Sequence, residues 1–223
     1  MNLEALPEEA LKEILALTEA KKRLELREEA TEKFMPFAHH VYENFIEGQH
    51  HRVIAEKLER VARGEIKRLI INMPPRHSKS EFASFLMPAW FLGRNPKLKI
   101  IQATHNTELA VRFGRKVRDL IDDPAYKEIF PETNLKEDNK GAGKWGTTAG
   151  AEYFAAGVGA AITGRGADLL IIDDPHSEQD ALSDSAFDNA YEWYTSGPRQ
   201  RLQPGGTIIL VMTRWGKKDL TGR

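Results

Sequence analysis

Cysteine is absent from all 223 residues, which excludes disulfide bonds and thiolate zinc sites and fits an intracellular protein. Long hydrophobic runs are missing as well: no apolar stretch approaches the roughly 20 residues of a membrane span. The acidic, helical N-terminus lacks the basic-then-apolar order of a signal peptide, so a soluble cytoplasmic protein is the expectation. Neither sign of charge dominates. With 32 Lys and Arg against 33 Asp and Glu, the formal net charge is −1, so any nucleic-acid contact must come from local patches rather than a global basic field. Internal repeats and low-complexity tracts are not seen. The length does permit one substantial core with a helical appendage.

The apolar residues fall in short runs separated by helix-compatible segments. Runs at 69–71, 99–103, 169–172 and 207–212 alternate with helical patterns near 80–92, 107–122 and 184–199. That order predicts an α/β sandwich around a mostly parallel sheet. Ahead of it, residues 3–33 are charged, with Leu11, Ile14, Leu15 and Leu17 near helical spacing, which predicts an amphipathic helix. A second helix is predicted over 49–63, with Val53, Ile54, Leu58 and Val61 on one side and Gly64 placed to end it. The glycine-bearing stretch 145–159 reads as a hairpin or an added strand. The expected organisation is a helical extension or lid over 1–48 and a core over 49–223.

Two segments carry chemistry. Residues 69–80, LIINMPPRHSKS, run from an apolar strand into a turn-rich loop that ends in Lys79 and Ser80. A phosphate-binding loop needs a buried strand, inward backbone N–H groups, a lysine for the β- and γ-phosphates and a hydroxyl for Mg²⁺. Pro75, Arg76, His77 and Ser78 make the body of such a loop, and Lys79 and Ser80 fill the last two roles. The pattern G-x-x-x-x-G-K-[ST] puts glycines where Met73 and Ser78 stand. The loop by itself therefore fits equally an ordinary strand-to-helix turn stiffened by Pro74 and Pro75.

The second segment, ADLLIIDDP, ends an unbroken apolar run in Asp173 and Asp174. A run without alternation suits a parallel strand buried on both faces, where paired carboxylates need a partner. Mg²⁺ on nucleotide phosphates supplies one, with Asp173 on the metal and Asp174 placed to orient and deprotonate the attacking water. Asp174-Pro175 is also good turn chemistry. The upstream Lys79-Ser80 pair tips the balance toward a site.

Several long stretches in one order then carry a resemblance over nearly the whole chain: GQHHRVIAEKLERV, INMPPRHSKSEFAS, AWFLGRNPKLKIIQATHN, FGRKVRDLIDDP, GAAITGRGADLLIIDDPHSEQDALS and GGTIILVMTRWGKKDLTGR. The chain resembles the ATPase domain of a tailed-bacteriophage terminase large subunit, the motor that drives viral DNA into a preformed capsid. The resemblance implies a P-loop NTPase fold of the RecA-like (ASCE) type and Mg²⁺-dependent ATP hydrolysis that moves double-stranded DNA. It implies a portal protein, a terminase small subunit and other copies of the chain in a ring as partners, in the host cytoplasm. Lys79 and Ser80 then stand as the Walker A lysine and Mg²⁺-binding hydroxyl, and Asp173 as the Walker B metal carboxylate. Asp174 stands where many relatives carry the glutamate base. Thr213, Arg214 and Trp215 resemble the coupling motif that senses the γ-phosphate, and Gln49 and His51 lie where the family places the adenine pocket. Such subunits normally continue into an RNase H-like nuclease domain that nothing here matches, so an ATPase fragment that does not cut DNA is expected.

Phosphoryl transfer also needs positive charge on the γ-phosphate oxygens. Arg76, inside the loop, is the candidate in cis. Arg165, in the Thr-Gly-Arg-Gly-Ala turn expected to be mobile and exposed, is the candidate in trans. Either fits a plain surface cation too. The adjacent pairs His39–His40 and His50–His51 are expected to diverge on their helices and to hold no structural metal. Arg112, Arg115 and Lys116 share one helical face, read as a solvated stripe before a contact to DNA phosphates. Two rival functions remain: a helicase-like P-loop ATPase, and a non-hydrolysing nucleotide-binding module whose degenerate loop is marked by Ser78.

Overall fold

The computed structural model describes residues 7–162 and 164–223. Among these residues seven strands form one sheet: β1 (Arg68–Asn72), β2 (Lys99–Thr104), β3 (Leu135–Gly141), β4 (Lys144–Thr147), β5 (Glu152–Gly157), β6 (Ala167–Asp173) and β7 (Leu202–Met212). Their order is β1-β7-β6-β2-β5-β4-β3. The first five in that order run parallel, and the β4–β5 and β3–β4 pairs are antiparallel. The glycine-bearing stretch is therefore both a hairpin and an addition to the sheet, because β5 also pairs with β2.

The apolar runs of β2, β6 and the end of β7 are buried on both faces, as interior parallel strands require, whereas β1 at the edge of the sheet leaves Ile70 52% exposed. Within β6, Leu169 and Ile171 belong to one side of the core, and Leu170 and Ile172 to the other. The first side is covered by helices: α2 (Phe34–Val41), α3 (Gln49–Ala62), α4 (Met87–Arg94), α5 (Thr107–Ile121), α6 (Pro124–Ile129) and the end of α1 (Glu8–Glu32). The second is covered by α7 (Asp184–Ser196) and the segment after β7, through Tyr191, Tyr194, Trp215 and Leu220. Gly64 ends α3 with a left-handed φ of 78°, the conformation that a residue without Cβ adopts at least cost.

The helix after β1 opens with a π-helical turn, Glu81–Leu86, in which the Met87 N–H donates to the Phe82 carbonyl. Pro88 has no N–H to offer the preceding turn, so the α-helical ladder is interrupted there and widened by one residue.

Two sequence expectations are corrected. Residues 14, 15 and 17 do not bury an amphipathic face: Ile14, Leu15 and Leu17 are 38%, 62% and 64% exposed, and Ala30 is the buried residue of α1. The helix docks by its C-terminal half, where Trp90 Nε1 donates to Ala30 O (2.9 Å) and Arg27 Nε to Ile129 O (3.2 Å). Farther out it is supported by ion pairs one turn apart, such as Lys12–Glu8 and Lys21–Glu25, each worth a few tenths of a kcal/mol. Val53 is likewise exposed, and the buried face of α3 is His51, Ile54, Ala55, Leu58 and Val61. By contrast, α2 is driven into the core, with the Phe34 ring 5.3 Å from Phe82 and 5.5 Å from Trp90. Among the described residues no helix is long and apolar enough to cross a membrane.

Candidate functional site

The carboxyl ends of the parallel strands converge. Asn72 pairs with Met212, Asp173 with Val211, and Thr104 with Asp173, so the segments following these strands share one rim, the usual ligand position of an open α/β sheet. The 73–80 loop leaves β1 on that rim and delivers its last residues to the start of a helix. Arg76 and Ser78 are both left-handed, at φ 62° and 60°. Ser78 thus adopts the conformation that glycine would supply, at a cost of about 1 kcal/mol.

Lys79 is 6% exposed, and its Nζ lies 3.0 Å from Asp174 Oδ2. Ser80 Oγ donates to Asp173 Oδ1 at 2.9 Å. Asp174 sits at φ 40°, a strained value for a residue that also precedes proline. Bonds on every side hold it. Its N–H donates to Val211 O (2.8 Å), its carbonyl accepts from the His105 N–H (3.1 Å), and its Oδ1 accepts from the Thr213 N–H (2.9 Å). Thr213 Oγ1 in turn donates to Met73 O at 3.2 Å, tying the end of β7 to the root of the loop.

Asp173 is 1% exposed, and its Oδ2 has no hydrogen-bond partner among the described residues. Burial, and then the neighbouring Asp174 carboxylate, push its carboxyl up to about 7, against the opposing pull of the Ser84 and Ser80 hydroxyls and Lys79. A buried carboxylate oxygen without a donor, beside a serine hydroxyl, is a donor set that suits Mg²⁺, which takes one or two protein oxygens and completes its shell with water and phosphate. No three His, Asp or Glu side chains group as metal ligands among the described residues.

The fold has a counterpart among solved structures. The crystal structure of the HK97 bacteriophage large terminase matches over 79% of this chain with a TM-score of 0.51 and 14% sequence identity. The chain has a terminase-like fold. It spans 35% of the length of the HK97 protein. No family model and no curated protein matches the sequence.

On this terminase-like fold the arginines separate. Arg76 is exposed on the loop beside Lys79. Arg165 differs from the exposed turn expected of it: it is half-buried, its guanidinium carbon 4.1 Å from the centre of the Phe154 ring on β5. Arg214 is engaged by the fully buried Asp219, Nε to Oδ2 at 2.9 Å. Burial opposes ionisation of Asp219, but Arg214 and the N–H groups of Trp215, Gly216 and Gly222 hold its carboxyl below the usual range. Asp219 thereby organises the whole segment after Thr213.

The expected stripe on α5 is broken, because Lys116 pairs with Glu81 at 2.7 Å and lies over the Phe85 ring. Arg112 and Arg115 remain exposed. The His50 and His51 rings do not diverge: their centres are 3.9 Å apart. At the start of a helix no preceding turn blocks side chains from leaning toward the N-terminus, and His51 Nδ1 accepts there from the Gly48 N–H. His51 is buried, stacks on Phe82 at 5.0 Å, and burial pushes its pKa down. Gln49 is exposed at the same helix start, and His77 lies 5.8 Å from His50.

Sequence reasoning missed His105 and His176. Both line one cavity with Pro75, Lys79, Asp174, Thr213 and Trp215. Their local signal is thin: His105 follows β2 and His176 follows Asp174-Pro175, and neither belongs to a motif that names it. Burial pushes the His176 pKa down, so the ring is neutral near pH 7.

Proposed function

We propose that the chain is a Mg²⁺-dependent ATPase that powers movement of double-stranded viral DNA into a procapsid. In this reading it works as one copy in a ring on a portal protein, with a terminase small subunit, in the host cytoplasm. The observation that carries it is the double pairing of Lys79 with Asp174 and Ser80 with Asp173. A Lys-Ser loop and a two-carboxylate strand end, 93 residues apart, meet as nucleotide hydrolysis requires. The likeness to the HK97 large terminase supports the motor role.

Phosphate oxygens compete with Asp174 for the Lys79 ammonium, and backbone N–H groups of the 76–80 loop add to their binding. Asp174, released from Lys79 and still oriented by the Thr213 N–H, accepts a proton from water. The water oxygen bonds to the γ-phosphorus as the bond to the bridging oxygen breaks, and ADP leaves with the electron pair. Ser80 and Asp173 would hold Mg²⁺, which when bound neutralises charge on the β- and γ-phosphate oxygens. Arg76 stabilises that charge in cis. Arg165 serves in trans only if it leaves the Phe154 ring, giving up about 1 kcal/mol of cation–π contact.

The test is the rate of ATP hydrolysis per subunit over a wide range of protein concentration, with Lys79→Ala subtracting contaminants. A rate that climbs with concentration and vanishes in Arg165→Ala assigns the finger to a neighbour. A constant rate lost in Arg76→Ala assigns it to the same chain. Tight ATP binding without turnover at any concentration would make the protein a nucleotide-binding module and overturn the ATPase reading.

A further inference from the structure

Two surfaces of the chain complement each other but do not meet within one copy. The first lies on the second side of the sheet, where α7 and the segment after β7 cover β6 and β7 but stop short of the edge strand β1. Leu69 and Ile71 pack on the first side, so alternation turns Ile70 to the second, where it is exposed. Ile70, Ile172, Ile208, Leu210 and Leu220 line a cavity of about 250 Å³ there, walled by Tyr191 and Tyr194. Its charged lining is Arg68, Arg199 and Arg223, with no acidic residue. Arg223 is paired with Asp188, and one guanidinium nitrogen of Arg68 donates to the Lys67 and Gly206 carbonyls. The exposed Arg199 guanidinium has no partner among the described residues.

The second surface is the outer part of α1. That helix docks on the first side of the sheet by its C-terminal half, and residues 8–19 include no buried side chain. They hold four glutamates against one lysine, Lys12, which is itself paired with Glu8. Glu9, Glu13 and Glu19 make no ion pair among the described residues. Ile14 and Leu17, three positions apart, share a stripe that continues to Leu24, and all three are exposed. A helix that lies in an apolar groove has this pattern, with anchors at i and i+3.

Charge and size match the one to the other. The cavity is smaller than the roughly 300–1,000 Å³ of small-molecule sites, and its aliphatic floor under an arginine rim suits apolar side chains flanked by carboxylates. We infer that residues 8–19 of α1 in one copy dock in the groove between α7 and β1 of a second copy, with Ile14 and Leu17 on the aliphatic floor and the free glutamates at the arginine rim. The two surfaces differ, so the contact is heterologous: repeated head to tail, it closes into a ring or runs on as a filament. The proposal rests on the ring of the reading above and names the surfaces that join its copies. A helix tip in a groove buries less than about 1,200 Å², the size of a weak contact, so a dissociation constant on the order of 10–100 μM is expected for each junction.

Sedimentation velocity without nucleotide, over roughly 1–300 μM protein, tests the contact. Ile14→Lys with Leu17→Lys spoils the helix tip, and Ile70→Glu with Arg199→Glu spoils the groove. All four positions are exposed, so both variants are expected to fold, which circular dichroism checks. Arg199→Glu alone, at a side chain with no partner, is expected to weaken association about tenfold and keeps the test valid if the double groove variant misfolds. The wild-type mass is expected to climb past that of a dimer and to fall with added salt, while each double variant stays monomeric. A 1:1 mixture of the two is expected to stop at a dimer, because one sound tip meets one sound groove and the remaining ends are spoiled. A wild type that stays monomeric throughout, a double variant that associates like the wild type, or a mixture that stays monomeric overturns the contact. Because no nucleotide is present, that failure leaves the ATPase reading standing. A protein that associates as expected but never turns over ATP loses the ATPase reading and keeps the contact.

Discussion

Lys79 Nζ and Asp174 Oδ2 lie 3.0 Å apart, the lysine almost entirely buried and the carboxylate partly open to the site. The cation that phosphates would recruit is thus held by the anion that would activate water. In a site of low dielectric the two charges offset each other's desolvation, and a ligand bearing phosphates exchanges one anionic partner of Lys79 for another.

Lys79→Ala is expected to weaken ATP binding by about a hundredfold or more, from the loss of a buried charge-assisted contact, and to bring turnover to background. Asp174→Asn is expected to bind ATP and to hydrolyse it roughly 10²–10⁴ times more slowly, the range for a lost general base. Isothermal titration and a phosphate-release assay on the two variants check both. Normal turnover by Asp174→Asn removes Asp174 from the base role.

Asp173 makes stability depend on pH. Its folded carboxyl is raised from 3.8 to about 7, so the folded state favours the neutral form. Its contribution is fully present below pH 3.8 and is lost as pH rises through about 7, on the order of 4 kcal/mol over that span. Thermal unfolding without Mg²⁺ is expected to show stability declining from pH 5 to pH 8, with Asp173→Asn flattening that decline. Because Mg²⁺ would bind the carboxylate and not the protonated acid, added Mg²⁺ is expected to stabilise the wild type more at pH 8 than at pH 5.

Ser78 holds a left-handed conformation that glycine adopts without strain. Ser78→Gly is expected to raise stability by about 1 kcal/mol, or roughly 3 °C in Tm for a chain of this size. Ser78→Val is expected to lower it and to weaken nucleotide binding, because a β-branched residue resists positive φ. A destabilised Ser78→Gly would show that the hydroxyl, rather than the backbone, governs this position.

Phe34 is fully buried among the rings of Phe37, Phe82 and Trp90. Phe34→Ala is expected to cost roughly 3–5 kcal/mol in a single cooperative urea transition, since α2 shares its core with the helix that follows the 73–80 loop. Separate melting of residues 8–41, seen by hydrogen exchange with the sheet still protected, would make them an independent lid instead.

Four parallel strands, β1, β2, β6 and β7, were legible because β-branched and leucine runs without alternation suit a parallel sheet; β3, LKEDNKG, carries no such run and was not read from the sequence. The hairpin at 144–157 was legible through its glycines. Residues 11–17 misled, because helical spacing of leucines reports a helix but not whether anything packs against it; Leu15 and Leu17 face solvent. Lys116 misled for the opposite reason, since its partner Glu81 lies 35 residues away.

By itself the sequence determined the α/β alternation, the Lys79-Ser80 step and the Asp173-Asp174 pair, all of them adjacent residues or local periodicities. The tertiary structure decided which charges meet: Lys79 with Asp174, Ser80 with Asp173, Arg214 with Asp219. It also decided that Arg165 rests on Phe154 and that His176 is held by the Leu220 N–H. The physical reason is one of range. Backbone propensity and hydrophobic period act over a few residues, whereas the chain topology brings together partners 95 positions apart, as with Lys79 and Asp174, and 140 apart, as with Thr213 and Met73, and only there do desolvation and hydrogen bonding assign each group its role.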